Sequence, residues 1–133
     1  MASDRGSRGN SPITPVTAIG IEHVRLSYLY LDRGDIDGYL SLLHADFSLL
    51  MPGEREIHGR DRIGVFQAQH AQFAADHLIH HVIGSGDRVA VEGRYVSGEE
   101  GEDREGIDFT EVFSLSEEGL LLSRKRYYFV AAR

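Results

Sequence analysis

GIDFTEVFSL, residues 106–115, decides how the chain is read. With a period of two, Ile107, Phe109, Glu111, Phe113 and Leu115 fall on one face of a strand, and Asp108, Thr110, Val112 and Ser114 on the other. The first face is apolar except for one carboxylate. A glutamate there costs folding free energy unless it is paired, protonated or open to a wet cavity. Glu111 is therefore the first candidate for chemistry.

The strands around it follow the same period. Leu78–Ile83, Arg88–Ser97, Phe109–Leu115 and Leu120–Val130 are predicted strands, joined by Gly84–Asp87, the acidic loop Gly98–Glu105, and Ser116–Gly119. All three connections suit antiparallel hairpins. A four-residue turn at Ser116–Gly119 sets Leu115 opposite Leu120, Glu111 opposite Arg124 and Phe109 opposite Arg126. A hairpin over Gly98–Glu105 sets Glu92 opposite Glu111 and Arg94 opposite Phe109. The resulting row, Glu92, Glu111 and Arg124, is one in which a carboxylate neighbour raises a pKa and an arginine lowers it. Two other readings stand beside it. Glu111–Arg124 is also readable as a structural cross-strand ion pair. The pattern of Val89, Val91 and Tyr95 favours the opposite face of that strand, and a one-residue slip sends Glu92 and Arg94 to solvent.

Upstream the period is helical. Thr14 or Thr17 caps a first helix with Ile21, Val24, Tyr28 and Leu31 on one face, ended by Arg33-Gly34. Asp35 caps a second, with Ile36, Tyr39, Leu40 and Leu43 apolar and His44–Asp46 closing it. Phe47–Met51 is a short strand stopped by Pro52-Gly53, followed by a polar loop. Asp61 caps a third helix to about Phe73, burying Ile63, Phe66, His70 and Phe73. His70 is then either a core histidine bonded to a backbone carbonyl or a donor to a ligand. Three helices followed by a mostly antiparallel meander make an α+β fold, the helices against one face of a curved sheet. Residues 1–15, rich in Ser, Gly, Arg and Pro, read as a flexible tail before a single domain over 16–133.

Bulk properties narrow the function. The chain has 133 residues, 41% of them hydrophobic and 26% charged, as an ordinary globular domain does. A net charge of −7, from 21 acidic and 14 basic residues, argues against nucleic acid or an anionic membrane as partner. The absence of cysteine excludes disulfides, a thiolate nucleophile and a cysteine zinc site. No apolar run follows the first positive charges, and none approaches a membrane span, so a cytoplasmic protein is expected. There is no phosphate-binding loop and no GxSxG elbow. His77 and His81 share a strand face but lie roughly 13 Å apart at about 3.3 Å per residue, too far for one ion, and His80 faces away. No metal and no cofactor are expected.

Four segments in order, GDIDGYLSLLHADF (34–47), HGRDRIGVF (58–66), GDRVAVEGRYVSG (86–98) and EVFSLSEEGLLLSRKRYYF (111–129), make the chain resemble the SnoaL-like, nuclear transport factor 2-like superfamily, which includes ketosteroid isomerase. The resemblance implies a cone-like, barrel-like sheet around an internal pocket, and commonly a homodimer through the sheet's outer face. The family's residues match incompletely. The isomerase's general-base aspartate falls on Met51, its oxyanion-hole tyrosine on Ser27 beside Tyr28, and its protonated aspartate on Glu111. Where related epoxide hydrolases place an aspartate, this chain has Arg124-Lys125-Arg126. A typical ketosteroid isomerase or epoxide hydrolase is not expected.

The resulting expectation is acid/base chemistry on a small, largely apolar carbonyl compound, as in a polyketide cyclase, isomerase or dehydratase of a secondary-metabolite-type pathway. Glu111 would act as general acid or base, with Arg124 holding a developing oxyanion and Tyr28 or His70 adding a hydrogen bond. Met51, Phe66, Glu92, Phe109, Phe113, Arg126 and Tyr128 would contact the substrate. The alternative is a non-catalytic binding or dimerisation module on the same fold.

Overall fold

Thr14, not Thr17, begins the first helix. Its hydroxyl accepts from the Thr17 N–H at 3.1 Å, and the Thr17 hydroxyl accepts from the Thr14 N–H at 3.1 Å. This reciprocal cap satisfies two otherwise orphan donors at the start of α1, Pro15–Arg33. The computed structural model describes residues 13–70, 75–97 and 106–129. The expected tail up to residue 12, the acidic loop 98–105 and Phe73 lie outside them. Gly34 closes α1 at φ 72°, a conformation glycine adopts without a Cβ penalty.

Asp35 caps α2, Ile36–Leu40, by accepting from the Gly38 N–H at 2.8 Å. The first strand, β1, runs Leu43–Leu50 and so begins earlier than the sequence suggests. His44–Asp46 are not a helix end. They occupy an irregularity in the pairing with the last strand, between Leu43 and Ser48. A second strand, β2, Ile57–His58, pairs antiparallel with β1 inside the expected polar loop. Two residues are too few to show a period.

Helix α3 spans Arg60–His70, two residues earlier than a cap at Asp61 implies, with Asp61 in its first turn, where a carboxylate is favourable. Ile63 is fully buried and Phe66 half-buried, but His70 is exposed, which corrects its placement in the apolar stripe.

The remaining strands are β3 (Ala75–Ser85), β4 (Arg88–Ser97), β5 (Gly106–Leu115) and β6 (Leu121–Tyr128). The sheet order is β2-β1-β6-β5-β4-β3, six strands in a curled, unclosed sheet. Only the β1–β6 pairing is parallel among the described strands. The three helices cover its inner face in an α+β arrangement. Val24 and Tyr28 of α1, Tyr39 of α2 and Ile63 of α3 meet Val91, Phe113 and Leu121 of the sheet there. Gly20 lets α1 come down on β5, because a Cβ at that position would fall 2.2 Å from the Leu115 side chain.

Both expected registers around Glu111 change. On β6, a bulge between Ser114 and Leu115 and a longer turn move Glu111 to face Arg126, while Phe113 faces Arg124. The offset totals two residues, so both arginines stay on the face of Glu111. On β4 the offset is one residue: Val91, not Glu92, lies opposite Glu111. That odd step turns Glu92 and Arg94 to the outer face. It places an apolar side chain beside the buried carboxylate where a second carboxylate would have stood.

Candidate active site

Glu111 is fully buried at the centre of the inner face. The Tyr28 hydroxyl, delivered from α1, donates to Oε1 at 2.6 Å. Arg124 Nε and Arg126 Nε donate to Oε2 at 2.6 and 3.0 Å. Because side chains of a strand alternate, residues 124 and 126 point to the same face, one opposite Glu111 and one diagonal to it. Burial by itself would raise the carboxyl pKa. The two guanidiniums outweigh it and hold the pKa at about 2. Glu111 is thus ionised at neutral pH.

The network extends outward through the arginines. Arg124 Nη1 donates to the Tyr39 hydroxyl at 3.2 Å. Arg126 lies over the Phe109 ring, 4.5 Å from its centroid, and its Nη1 is 3.4 Å from the Tyr128 hydroxyl. Its Nη2 donates to His77 Nε2 at 2.7 Å. On the other side of that ring, Nδ1 lies 2.6 Å from Asp32 Oδ1, and the His77 backbone N–H donates to Asp32 Oδ2 at 2.9 Å. Since a guanidinium only donates, Nε2 is the acceptor and Nδ1 carries the hydrogen. Burial, with the nearby arginines, lowers the His77 pKa, and the Asp32 hydrogen bond opposes this only in part.

Asp32, His77, Arg124 and Arg126 of this network border a cavity of about 290 Å³. Its wall comes from the end of α1 and the turn to α2 (residues 30–36), Met51, the α3 residues Phe66, Gln67 and His70, and the sheet residues His77, Tyr95, Arg124 and Arg126. Five of the expected site residues, Met51, Phe66, His70, Arg124 and Arg126, therefore meet at one cavity. His70 lies at its exposed side, its Nδ1 2.8 Å from the Phe66 carbonyl.

Other expected site residues lie elsewhere. Tyr28 and Glu111 are not among the residues lining the cavity, and Glu111 meets the lining through Arg124 and Arg126. Its proton-accepting oxygens are occupied by three donors. Phe109 and Phe113 are buried in the core behind the cavity, and Tyr128 touches the site through its hydroxyl on Arg126. Glu92 is on the outer face, 3.4 Å from His81, because of the one-residue register shift.

Asp32, His77 and Tyr95 were not anticipated as site residues. The available signal was Asp32 itself, an acid in the last turn of a helix, where the dipole disfavours it. By sequence, His77 stands out only as a possible metal ligand. Among the described residues no group of three or more His, Cys, Asp or Glu side chains is placed to hold a metal ion. No described helix is long and apolar enough to cross a membrane.

A helix-covered, curled sheet with a cavity at one end is the cone-shaped architecture of the nuclear transport factor 2-like proteins. Within that class, a SnoaL-like domain model matches residues 24–123, and the chain belongs to the SnoaL-like family. Comparison with curated proteins by sequence finds no match. Among solved structures, it is similar to a Mycobacterium tuberculosis LEH-like epoxide hydrolase (TM-score 0.76, 21% identity, covering 86% of this chain and 86% of that one). It is also similar to a protein named as a SnoaL-like polyketide cyclase from Jannaschia sp. CCS1 (TM-score 0.74, 15% identity, 96% and 91% covered). A third is the epoxide hydrolase/cyclase-like enzyme SalBIII of pyran ring formation in polyether salinomycin (TM-score 0.70, 18% identity, 83% and 90% covered). At these identities the similarity is one of fold.

Proposed function

We propose that the protein is an enzyme that moves a proton on a small carbonyl compound, as in the cyclisation, isomerisation or dehydration steps of polyketide-like secondary metabolites. The observation that carries this reading is His77. It lines the cavity as a neutral imidazole, held by Asp32 on one nitrogen and Arg126 on the other. A substrate carbonyl oxygen that accepts from Arg126 competes with Nε2 for that hydrogen and leaves the nitrogen lone pair available. His77 then takes the proton from the carbon next to the carbonyl. The C–H electrons pass to the oxygen as an enolate beside Arg126 and Arg124, and Asp32 stabilises the imidazolium. Returning the proton at another position gives isomerisation; attack of the enolate carbon on a second carbonyl gives cyclisation. Glu111 in this scheme fixes the two arginines and does not itself exchange a proton.

The cavity is at the small end of the roughly 300–1,000 Å³ common for ligand sites, so a single ring or short chain fits the reading better than a fused polycycle. The relatives described as cyclase-like enzymes support the reaction class.

The test is proton exchange. Wild-type protein in deuterated water should speed loss of the α-proton signal of small cyclic ketones, followed by NMR. His77→Gln should slow it by about 10²-fold or more. Binding of these compounds without any exchange above buffer would remove the enzymatic reading.

A second reading, a non-catalytic binding module, is favoured by one observation. Glu111, the carboxylate expected to act on a ligand, has both oxygens taken up by Tyr28, Arg124 and Arg126. Mass spectrometry of small molecules released from the denatured protein bears on both readings. A released carbonyl compound supports the first, and a compound with no exchangeable α-proton supports the second.

We also propose a homodimer through the outer sheet face, where Val112 and Tyr127 are exposed side chains. Light scattering at a monomer mass over the micromolar range would exclude it.

A further inference from the structure

The charges behind the cavity do not balance within the buried cluster. Glu111 supplies one negative charge, and its Oε2 is shared by the two cations Arg124 and Arg126. The side chains of all three are at most 3% exposed. Tyr28, Tyr39 and Tyr128, which bond to members of this trio, are neutral hydroxyls. His77 is neutral because Arg126 donates to Nε2. Asp32 spends both oxygens on His77 and makes no ion pair with either arginine. Arg33 and Asp35, which also line the cavity, are exposed at its mouth and offset one another in solvent. The buried trio taken alone carries one positive charge in excess, and its counter-charge on the cavity wall is Asp32, which reaches Arg126 only through His77.

The donors show where that excess is directed. Arg126 has all three of its nitrogens engaged, by Glu111, Tyr128 and His77. Arg124 engages Nε with Glu111 and Nη1 with Tyr39, and among the described residues nothing accepts from its Nη2. Arg124 lines the cavity. A buried guanidinium amino group without an acceptor is costly, and an anionic oxygen is the acceptor that also removes the excess charge.

We propose that the substrate is an oxo carboxylate, its carboxylate seated on Arg124 and its carbonyl oxygen turned toward Arg126 and His77. This rests on the enzymatic reading for the fate of the carbonyl, but the carboxylate subsite rests on the buried Arg124 amino group that faces the cavity without an acceptor. One anionic group at Arg124 neutralises the trio and gives Nη2 an acceptor. A neutral ligand of the same shape accepts from Nη2 but brings no charge, and its hydrogen bond is the weaker one.

Titration of the full-length protein with benzoate and with benzamide, which keeps the ring and drops the charge, tests the subsite. Arginine side-chain NMR resonances report where each ligand sits. Benzoate is expected to bind at least tenfold more tightly, to shift the Arg124 resonances, and to lose that preference in Arg124→Gln. Equal affinity, no binding of benzoate at millimolar concentration, or a preference that survives Arg124→Gln overturns the proposal. Should Arg124→Gln not fold, the wild-type protein decides: an Arg124 response to benzoate absent with benzamide supports the subsite, and an equal or absent response overturns it. A benzoate preference together with no α-proton exchange on cyclic ketones above buffer leaves the subsite standing and removes the enzymatic reading. Exchange with no carboxylate preference does the reverse.

Discussion

Nε2 of His77 lies 2.7 Å from Nη2 of Arg126, a contact in which the imidazole must accept. Together with Asp32 on Nδ1, it makes His77 a neutral ring of one tautomer. Long-range proton–nitrogen correlation NMR at pH 7 should therefore show the hydrogen on Nδ1 alone.

The same contact makes stability depend on pH near neutrality. Burial lowers the His77 pKa below its ordinary 6.5, so the unfolded chain binds this proton more readily than the folded one. The neutral ring's contribution is complete above about 6.5 and is lost as pH falls through the lowered folded value. Chemical denaturation between pH 7.5 and 5 should show wild type losing more stability than His77→Gln over that interval.

Glu111 produces a second, more acidic loss. Its pKa of about 2 lies below the ordinary 4.5, so its contribution is present above about pH 4.5 and disappears as pH falls toward 2. Glu111→Gln leaves Arg124 and Arg126 buried without their shared anion, and unfolding in urea at pH 7 should show a cost of about 3–5 kcal/mol. That penalty should shrink as pH is lowered from 5 to 2.5, since the wild-type carboxyl is then also being neutralised. A cost below about 1 kcal/mol at pH 7 would contradict the buried ion cluster.

Tyr28→Phe keeps the ring in the core and removes the hydroxyl that donates to Glu111 Oε1 at 2.6 Å. A hydrogen bond to a buried charge contributes about 1.5–3 kcal/mol, and the loss in urea midpoint should correspond to that range without a change in slope.

Gly93 lies on the inner side of β4, where a Cβ would sit 2.5 Å from the Leu78 carbonyl oxygen and 3.0 Å from the Phe109 ring. The carbonyl belongs to a paired strand and has little room to yield. Gly93→Ala should destabilise by about 1–3 kcal/mol, measured by thermal or chemical unfolding. A neutral result would mean that β3 and β4 shift apart freely.

Much of this architecture is present in local pattern. The threonine cap before α1, Gly34 after it, the boundaries of Arg88–Ser97 and the inward carboxylate of GIDFTEVFSL are set by residue type and spacing within a few positions. The sequence by itself also determined that Arg124 and Arg126 share the face of Glu111, because an even offset across the last hairpin does not change faces. Tertiary structure alone decided which partners those residues take. The bulge after Ser114 and the one-residue difference on β4 determined that Arg126 faces Glu111 and that Glu92 faces solvent. Neither leaves a mark in the period of two. The Asp32–His77 pair joins residues 45 positions apart and exists only because the last turn of α1 ends over β3. GIDFTEVFSL therefore specifies a buried carboxylate. Only the folded chain assigns that carboxylate to holding two arginines and gives the cavity wall to His77.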